Sequence, residues 1–131
     1  MKTISVVTKK RIEMIDVTSE INNMLKRLGA VRGVCYLFVP HTTSGITINE
    51  NADPAVKQDI LDTLDNIAPY NDNYHHKEGN ADAHIKSSVI GVTLSLFVEN
   101  GRLVLGTWQS AFFCEFDGPR TRSLLLEFTP L

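Results

Sequence analysis

Residues 92–103, VTLSLFVENGRL, carry the clearest fold signal in the chain. Thr93, Ser95 and Phe97 are spaced two apart among apolar residues, the period of a strand with one buried face, and the apolar set is Val92, Leu94, Leu96 and Val98. Asn100 and Gly101 follow, and both residue types tolerate the positive φ that a tight hairpin turn requires. The segment therefore predicts a β-hairpin, with residues 103–107 pairing back on the first strand.

Segments on both sides of this hairpin predict further strands. Thr3–Val17 contains two short alternating stretches around a polar corner, and residues 46–48, 112–116 and 124–128 predict three more strands. Val34–Val39 is a continuous apolar run ended by Pro40. Such a run is typical of a strand that is buried on both faces.

Three helices are predicted between the terminal strands. Thr18 or Ser19 would cap the first helix, which stops at Gly29 and buries Ile21, Met24, Leu25 and Leu28. Asp53 followed by Pro54 begins a second helix, which ends at Pro69 and buries Val56, Ile60, Leu61, Leu64 and Ile67. Asn80 would cap a third helix that runs to about Ile90, before Gly91, and residues 70–80 have no apolar period and predict a loop.

This order of elements predicts one domain over residues 1–131 with an α+β fold. About eight strands suffice for two packed sheets, mixed or antiparallel, with about three helices. At 14.6 kDa the chain is large enough to bury a stable core without disulfide bonds or a structural metal ion.

Composition excludes several classes of protein. Apolar residues make up 43% and charged residues 21% of the chain, values typical of globular proteins rather than disordered ones. A net charge of -2 argues against sequence-independent nucleic-acid binding. No stretch is long and apolar enough for a membrane span or a signal peptide, so we expect a cytoplasmic protein that binds neither membranes nor nucleic acids. Cys35 and Cys114 both lie in apolar runs, which predicts buried, reduced thiols.

Polar residues whose side chains could take part in catalysis or binding occur in four clusters. They are His41–Gly45, Asn49–Asp53, Tyr74–Ser88 and Gly106–Arg120, and the third holds three of the four histidines. Each cluster also has a structural interpretation: a hydroxyl-rich turn, a helix cap, a solvated loop, and a tryptophan in the core with an arginine in water. The functional alternatives are a divalent-metal site on the histidines and a phosphate contact at Arg120.

Three longer segments resemble one known family. HTTSGITINENADP (41–54), NADAHIKSSVIG (80–91) and NGRLVLGTWQSAFFCEFDGPR (100–120) are similar to the YjbQ-type proteins, described as secondary thiamine-phosphate synthases. The resemblance implies an α+β fold, a homotrimer and a site lined by the histidine segments. It also implies a weak ability to join a pyrimidine methyl diphosphate to a thiazole phosphate, with loss of diphosphate.

The resemblance and this chemistry together suggest roles for thirteen residues. Zinc or magnesium would be held by His41, His76 and His84. Catalysis would involve Glu50, Lys86, Gln109 and Arg120. A small phosphorylated metabolite would be contacted by Thr43, Ser44, Asn49, Asn80, Ser87 and Trp108. The alternative hypothesis is a non-catalytic trimer that binds a metal or a phosphorylated metabolite.

Overall fold

Two antiparallel sheets and three helices form the chain, and the computed structural model describes residues 1–131. The strands are β1 (Lys2–Val7), β2 (Glu13–Asp16), β3 (Gly33–Phe38), β4 (Ser44–Glu50), β5 (Thr93–Glu99), β6 (Arg102–Leu103), β7 (Gln109–Glu115) and β8 (Thr121–Pro130). The helices are α1 (Thr18–Arg27), α2 (Pro54–Ile67) and α3 (Ala81–Ile90). The larger sheet has the order β1-β8-β3-β5-β6 and the smaller has the order β2-β7-β4. The predicted α+β class is confirmed, and every strand pair is antiparallel.

The central strand of the molecule is β7, because it is buried on both faces. Ala111 and Phe113 point into the core between the two sheets, which also contains Ile21 and Leu25 of α1. The alternate side chains of this segment point the other way, into a second core that α2 and α3 cover: Phe112, Cys114 and Phe116. The layers are therefore the large sheet, the small sheet, and α2 with α3.

The prediction that Val34–Val39 is buried on both faces is wrong. In β3, Tyr36 is 45% exposed and Phe38 is 44% exposed, while Cys35 and Leu37 are buried. The physical reason is that β3 lies in the middle of the large sheet, and one face of that sheet has no layer on it.

This uncovered face of the large sheet, which we call the outer face, has few charges. Across β1, β8, β3 and residues 93–97 of β5, strand alternation places 14 side chains on it, and Glu127 is the only charged one. The apolar members are Val7, Val34, Tyr36, Phe38, Phe97 and Leu125, and the rest are threonines and serines.

Several local signals behave as expected. The Asp53 side chain accepts a hydrogen bond from the Ala55 amide, with Pro54 in the first helical turn of α2. Asn100 and Gly101 have φ of 52° and 76°, which confirms the predicted hairpin turn. α3 begins after Asn80 and ends before Gly91, as predicted, but the Asn80 side chain does not cap the helix, because it bonds to His76 and Asp117 instead.

Other local predictions need correction. Neither Thr18 nor Ser19 caps α1: the residue before the helix is Val17, and the Asp16 carboxylate accepts from the Thr18 amide. Ile67 is 60% exposed, because α2 turns that side chain away from the small sheet. The hairpin's second strand is also shorter than predicted, with only Arg102–Leu103 in the ladder.

Both cysteines are free and buried, as predicted. Burial raises the pKa of each thiol to about 12, so neither is a reactive thiolate near neutral pH. No helix is both long enough and apolar enough to cross a membrane.

Truncating either face of β7 tests the layered arrangement. Phe112→Ala and Phe113→Ala should each lower the free energy of unfolding by about 3–5 kcal/mol, because each empties a fully packed position in a different core. Urea denaturation at one protein concentration measures this effect. Ile67→Ala, at an exposed position of α2, is the control and should stay within about 0.5 kcal/mol of the parent. A large loss for Phe113→Ala alone would show that α2 and α3 do not cover β7.

Candidate functional site

The histidine segments meet at one end of the molecule, which we call the histidine end. His41 lies in the loop between β3 and β4, His84 lies on α3, and His76 lies in the loop before α3. A cavity of about 370 Å³ opens there, lined by His41, Thr42, His84, Ser87, Ser88, Gly91 and Val92. None of these lining residues is acidic, so the cavity offers N–H and O–H donors and no carboxylate.

Close backbone approach fixes α3 against the strand ends. The amide of Ile46 donates to the Gly91 carbonyl at 3.0 Å, and the amide of Val39 donates to the Val92 carbonyl at 2.8 Å. A Cβ on Gly45 would lie 2.6 Å from the Gly91 oxygen, so a side chain at position 45 would push the helix end away. These contacts hold His41 and His84 on opposite walls of one cavity.

The His41 ring is fixed by the main chain of β8. Its Nε2 accepts a hydrogen bond from the Ser123 amide at 2.9 Å. A neutral imidazole that accepts at Nε2 carries its proton on Nδ1. Burial and the nearby Arg122 charge lower the pKa of His41, which favours this neutral form.

His76 and His84 are in direct contact, with ring centroids 5.1 Å apart and ring planes at 80°. A chain of hydrogen bonds continues from His76 Nε2 to Asn80 Oδ1 at 3.0 Å, and from Asn80 Nδ2 to Asp117 Oδ2 at 2.9 Å. Arg120 donates to the same carboxylate oxygen at 3.0 Å. This polar chain joins the loop before α3 to the turn between β7 and β8.

The three-histidine metal set predicted from the sequence is not assembled in this structure. No group of three or more His, Cys, Asp or Glu side chains is arranged to hold a metal ion. His41 Nε2 faces the Ser123 amide and His76 Nε2 faces the Asn80 side chain, so neither nitrogen is directed at a shared point. The donor set does not fit a common divalent ion in this arrangement.

A buried ion pair lies behind the cavity. Arg122 donates through Nε to Glu115 Oε1 at 2.9 Å, and its Nη2 donates to Thr43 Oγ1 at 2.8 Å. Burial alone would raise the pKa of Glu115, but hydrogen bonds from Arg122 and Thr8 outweigh it and lower the pKa. The Thr43 hydroxyl, predicted to contact substrate, is thus buried and engaged by Arg122.

The neighbouring hydroxyls are also buried. Ser87 donates to the Ser44 carbonyl at 2.6 Å, so this predicted substrate contact fastens α3 to β4 while it lines the cavity. The Ser44 hydroxyl has no hydrogen-bond partner and no exposed surface. The Ser44 hydroxyl is therefore not accessible to a substrate, and the Ser87 hydroxyl is already used within the chain, contrary to the sequence prediction.

Lys86, predicted to be catalytic, is itself buried and lies in a charge cluster below α3. Its Nζ donates to Asp65 at 2.6 Å and to Asp82 at 3.0 Å, and Asp82 also pairs with Arg11 at 2.9 Å. Burial would raise the pKa of Asp82, but hydrogen bonds from Arg11 and Lys86 lower it. The lysine does not line the cavity, and its position is explained by the two carboxylates.

The remaining predicted site residues lie at the opposite end of the small sheet. Glu50 pairs with Gln109 in the β4–β7 ladder, whereas Ser44 pairs with Glu115. Six residues of strand separate these pairs, about 20 Å. Trp108 is 63% exposed, the Gln109 side chain accepts from the Gly106 amide, and the Asn49 side chain accepts from the Glu50 amide. One chain therefore does not bring this group, which we call the tryptophan end, to the histidine end.

At the histidine end, Arg122 lies outside the four polar clusters predicted from the sequence, and Asp117 lies inside the fourth cluster without a predicted role. Arg122 occupies an inward position two residues before Leu124 in β8. A charged residue in register with buried leucines indicates a buried partner, and this signal could have identified it. Asp117 has no comparable signal, because an acidic residue before Gly118-Pro119 is ordinary for a turn.

Removing Lys86 tests whether it is structural. Lys86→Ala leaves Asp82 short of one of its two cations, so the free energy of unfolding should fall by about 3–5 kcal/mol. The matched control is Lys77→Ala, an exposed lysine that donates only to the Tyr74 carbonyl, and it should stay within about 0.5 kcal/mol. Thermal or urea unfolding distinguishes the two. An unchanged stability of Lys86→Ala together with lost activity would instead support catalysis.

Comparison with known proteins gives a consistent result over nearly the whole chain. The family model described as "UPF0047 protein YjbQ-like" matches residues 2–130. The UPF0047 protein YugU of Bacillus subtilis is 51% identical over 128 residues, covering 97% of each chain. The YjbQ protein of Escherichia coli O157:H7 is 41% identical over 103 residues, covering 76% of this chain and 75% of its own.

Solved structures agree with these sequence matches. A YjbQ/UPF0047 family protein from Clostridium acetobutylicum superimposes with a TM-score of 0.94 at 44% identity, covering 98% of this chain and 100% of its own. A conserved hypothetical protein from Thermus thermophilus gives a TM-score of 0.93 at 42% identity, with the same coverage. The chain therefore belongs to the YjbQ-like UPF0047 family.

Proposed function

We propose that this protein binds a small phosphorylated metabolite at the histidine end, forms a homotrimer, and has weak thiamine-phosphate synthase activity. The observation that carries the proposal is the cavity between His41 and His84, whose lining supplies N–H and O–H donors without a carboxylate. Donors without a competing acceptor favour an anionic oxygen such as that of a phosphate. The volume of about 370 Å³ suits a small metabolite.

The reaction needs little from the protein beyond charge stabilisation and alignment. The bond between the pyrimidine methylene carbon and the diphosphate oxygen breaks, and the diphosphate leaves with the electron pair. The thiazole nitrogen then forms the new carbon–nitrogen bond with its own lone pair, so no general base is required. Donors at the cavity would stabilise the charge that develops on the departing diphosphate.

In this proposal the donors are His41 Nδ1–H, His84 and the Ser88 hydroxyl. Ser88 is exposed at the cavity and donates to the His84 carbonyl, so its hydroxyl can exchange that partner for a ligand oxygen. Arg120 lies nearby but pairs with Asp117, and the arginine would have to leave this pairing to reach a phosphate.

The alternative function is a binding trimer without catalysis. The absence of any lysine or arginine from the cavity lining favours it, because strong acceleration of diphosphate departure usually uses a cation. Turnover separates the two functions: a dedicated enzyme should reach a kcat/KM on the order of 10⁴ M⁻¹s⁻¹ or more.

The outer face supports assembly with further copies of this chain, and the family resemblance supplies the number three. Three aromatic side chains, Tyr36, Phe38 and Phe97, are 44–66% exposed there, and Glu127 is the only charged side chain on this face across β1, β8, β3 and residues 93–97 of β5. Aromatic enrichment with few charges is typical of the buried centre of a protein–protein interface. Closed cyclic assembly of identical chains would cover this face in every copy.

Assembly would also explain the tryptophan end. Trp108 and Gln109 are exposed and lie about 20 Å from the histidine end of the same chain. In the proposed trimer they serve the cavity of a neighbouring subunit, with the Trp108 ring as a stacking wall for a flat heterocycle and with Glu50, Gln109 and Asn49 beside it.

Ligand binding tests the site. In calorimetry with thiamine phosphate and, separately, inorganic pyrophosphate, His84→Ala should weaken binding about 10- to 100-fold, because a donor to a charged oxygen is lost. His75→Ala is the matched control, since His75 lies in the loop before α3 and does not line the cavity. Equal affinity of the two variants would contradict this site.

Disruption of the outer face tests the assembly. Phe97→Arg should shift the sedimenting mass from about three times 14.6 kDa towards the monomer, because it places a charge in the proposed interface. Ile67→Arg, an exposed position on α2, should leave the mass unchanged. A parent protein that sediments as a monomer at micromolar concentration would overturn the trimer.

A further inference from the structure

We propose that Arg122 and Glu115 form a buried positioning pair that holds His41 as its Nδ1–H tautomer. In that form His41 presents a fixed hydrogen-bond donor to the cavity and does not bind a metal. The tautomer follows from hydrogen bonding within the chain alone. The anionic ligand oxygen that would accept from Nδ1 rests on the proposed function.

The geometry starts at adjacent residues of β8. The Ser123 amide donates to His41 Nε2 at 2.9 Å. The preceding side chain, Arg122, donates through Nη2 to the Thr43 hydroxyl at 2.8 Å and the Thr43 carbonyl at 3.3 Å. Thr43 lies two residues after His41. Two adjacent residues of β8 therefore hold the His41 ring through Ser123 and the His41 loop through the contact of Arg122 with Thr43.

Glu115 makes this clamp possible. Both Glu115 and Arg122 are essentially without solvent exposure, and an unmatched charge at either position would be costly. The Glu115 carboxylate accepts from the Arg122 guanidinium, the Thr8 hydroxyl, and the amides of Phe116 and Asp117. The Arg122 guanidinium meets this carboxylate through both Nε and Nη2, and in that orientation Nη2 also reaches Thr43.

The partner of Nε2 excludes the other tautomer. A main-chain amide can only donate, so a proton on Nε2 would place two N–H groups against each other. A metal on Nδ1 requires that nitrogen to be unprotonated, which would move the proton of the neutral ring to Nε2. Nδ1 has no partner in the chain, and the His41 ring lines the cavity, so its N–H is available to a ligand.

Nitrogen NMR of protein with ¹⁵N-labelled histidine tests the tautomer directly. At pH 7.5 we expect a protonated Nδ1 and an unprotonated, hydrogen-bonded Nε2 for the ring whose signals disappear in His41→Gln. These shifts should not change when Zn²⁺ or Mg²⁺ is added alone. A proton on Nε2, or loss of the Nδ1 proton on adding either metal, would overturn the proposal.

Variants test the positioning pair. Arg122→Lys keeps the charge but lacks the guanidinium fork that reaches Glu115 and Thr43 together, so His41 should show a mixture of tautomers. Affinity for inorganic pyrophosphate should fall about 10-fold or more, one lost hydrogen bond to a charged group. Arg102→Lys, at an exposed arginine of β6, is the control and should change neither the His41 tautomer ratio nor the affinity for pyrophosphate.

Thr43→Val provides a second variant in case Arg122→Lys does not fold. It removes the hydroxyl that accepts from Arg122 at nearly constant side-chain volume. Like Arg122→Lys, it should produce a mixture of His41 tautomers. A single Nδ1–H tautomer in every folded variant would refute the positioning role. If the parent shows the expected tautomer but does not bind pyrophosphate, the proposed function fails and the tautomer assignment stands.

Discussion

One carboxylate joins the two sheets at the histidine end. Glu115 is in β7 of the small sheet, and it pairs with Arg122 of β8 in the large sheet while accepting from Thr8, just beyond β1. The pair is fully desolvated, so it is stable only with every hydrogen bond in place. This requirement fixes the relative position of the strand ends at the histidine end.

The consequences of this constraint reach the cavity. Arg122 Nη2 donates to Thr43 as well as to Glu115, which orients the loop with His41, and the Ser123 amide holds the His41 ring. α3 is fastened separately, through the Ser87 hydroxyl and the approach of Gly45 to Gly91. The donors of the cavity are therefore held in place by contacts within the chain, which is what the proposed phosphate site would require.

The charge cluster around Lys86 has a different role. Asp82, Lys86, Asp65 and Arg11 lie under α3 and tie it to α2 and to the corner before β2. From the sequence alone, Lys86 is predicted to be catalytic. Only their mutual distances show that the charges are satisfied by one another, and that the cluster supports the helix from which His84 reaches the cavity.

The sequence by itself determined the element types, the Asn100-Gly101 turn, the Asp53 cap of α2 and the α+β class, because each depends on residues close together in the chain. It also determined which segments carry His41, His76 and His84. Tertiary structure alone decided which strand is buried on both faces, since β3 and β7 are both apolar and differ only in which elements cover them. It also decided that the Thr43 hydroxyl is engaged by an arginine 79 residues away, that Lys86 is engaged by an aspartate 21 residues away, and that Trp108 lies far from the histidines. These outcomes depend on contacts between distant segments, and apart from the inward register of Arg122 in β8, such contacts leave no local pattern in the sequence.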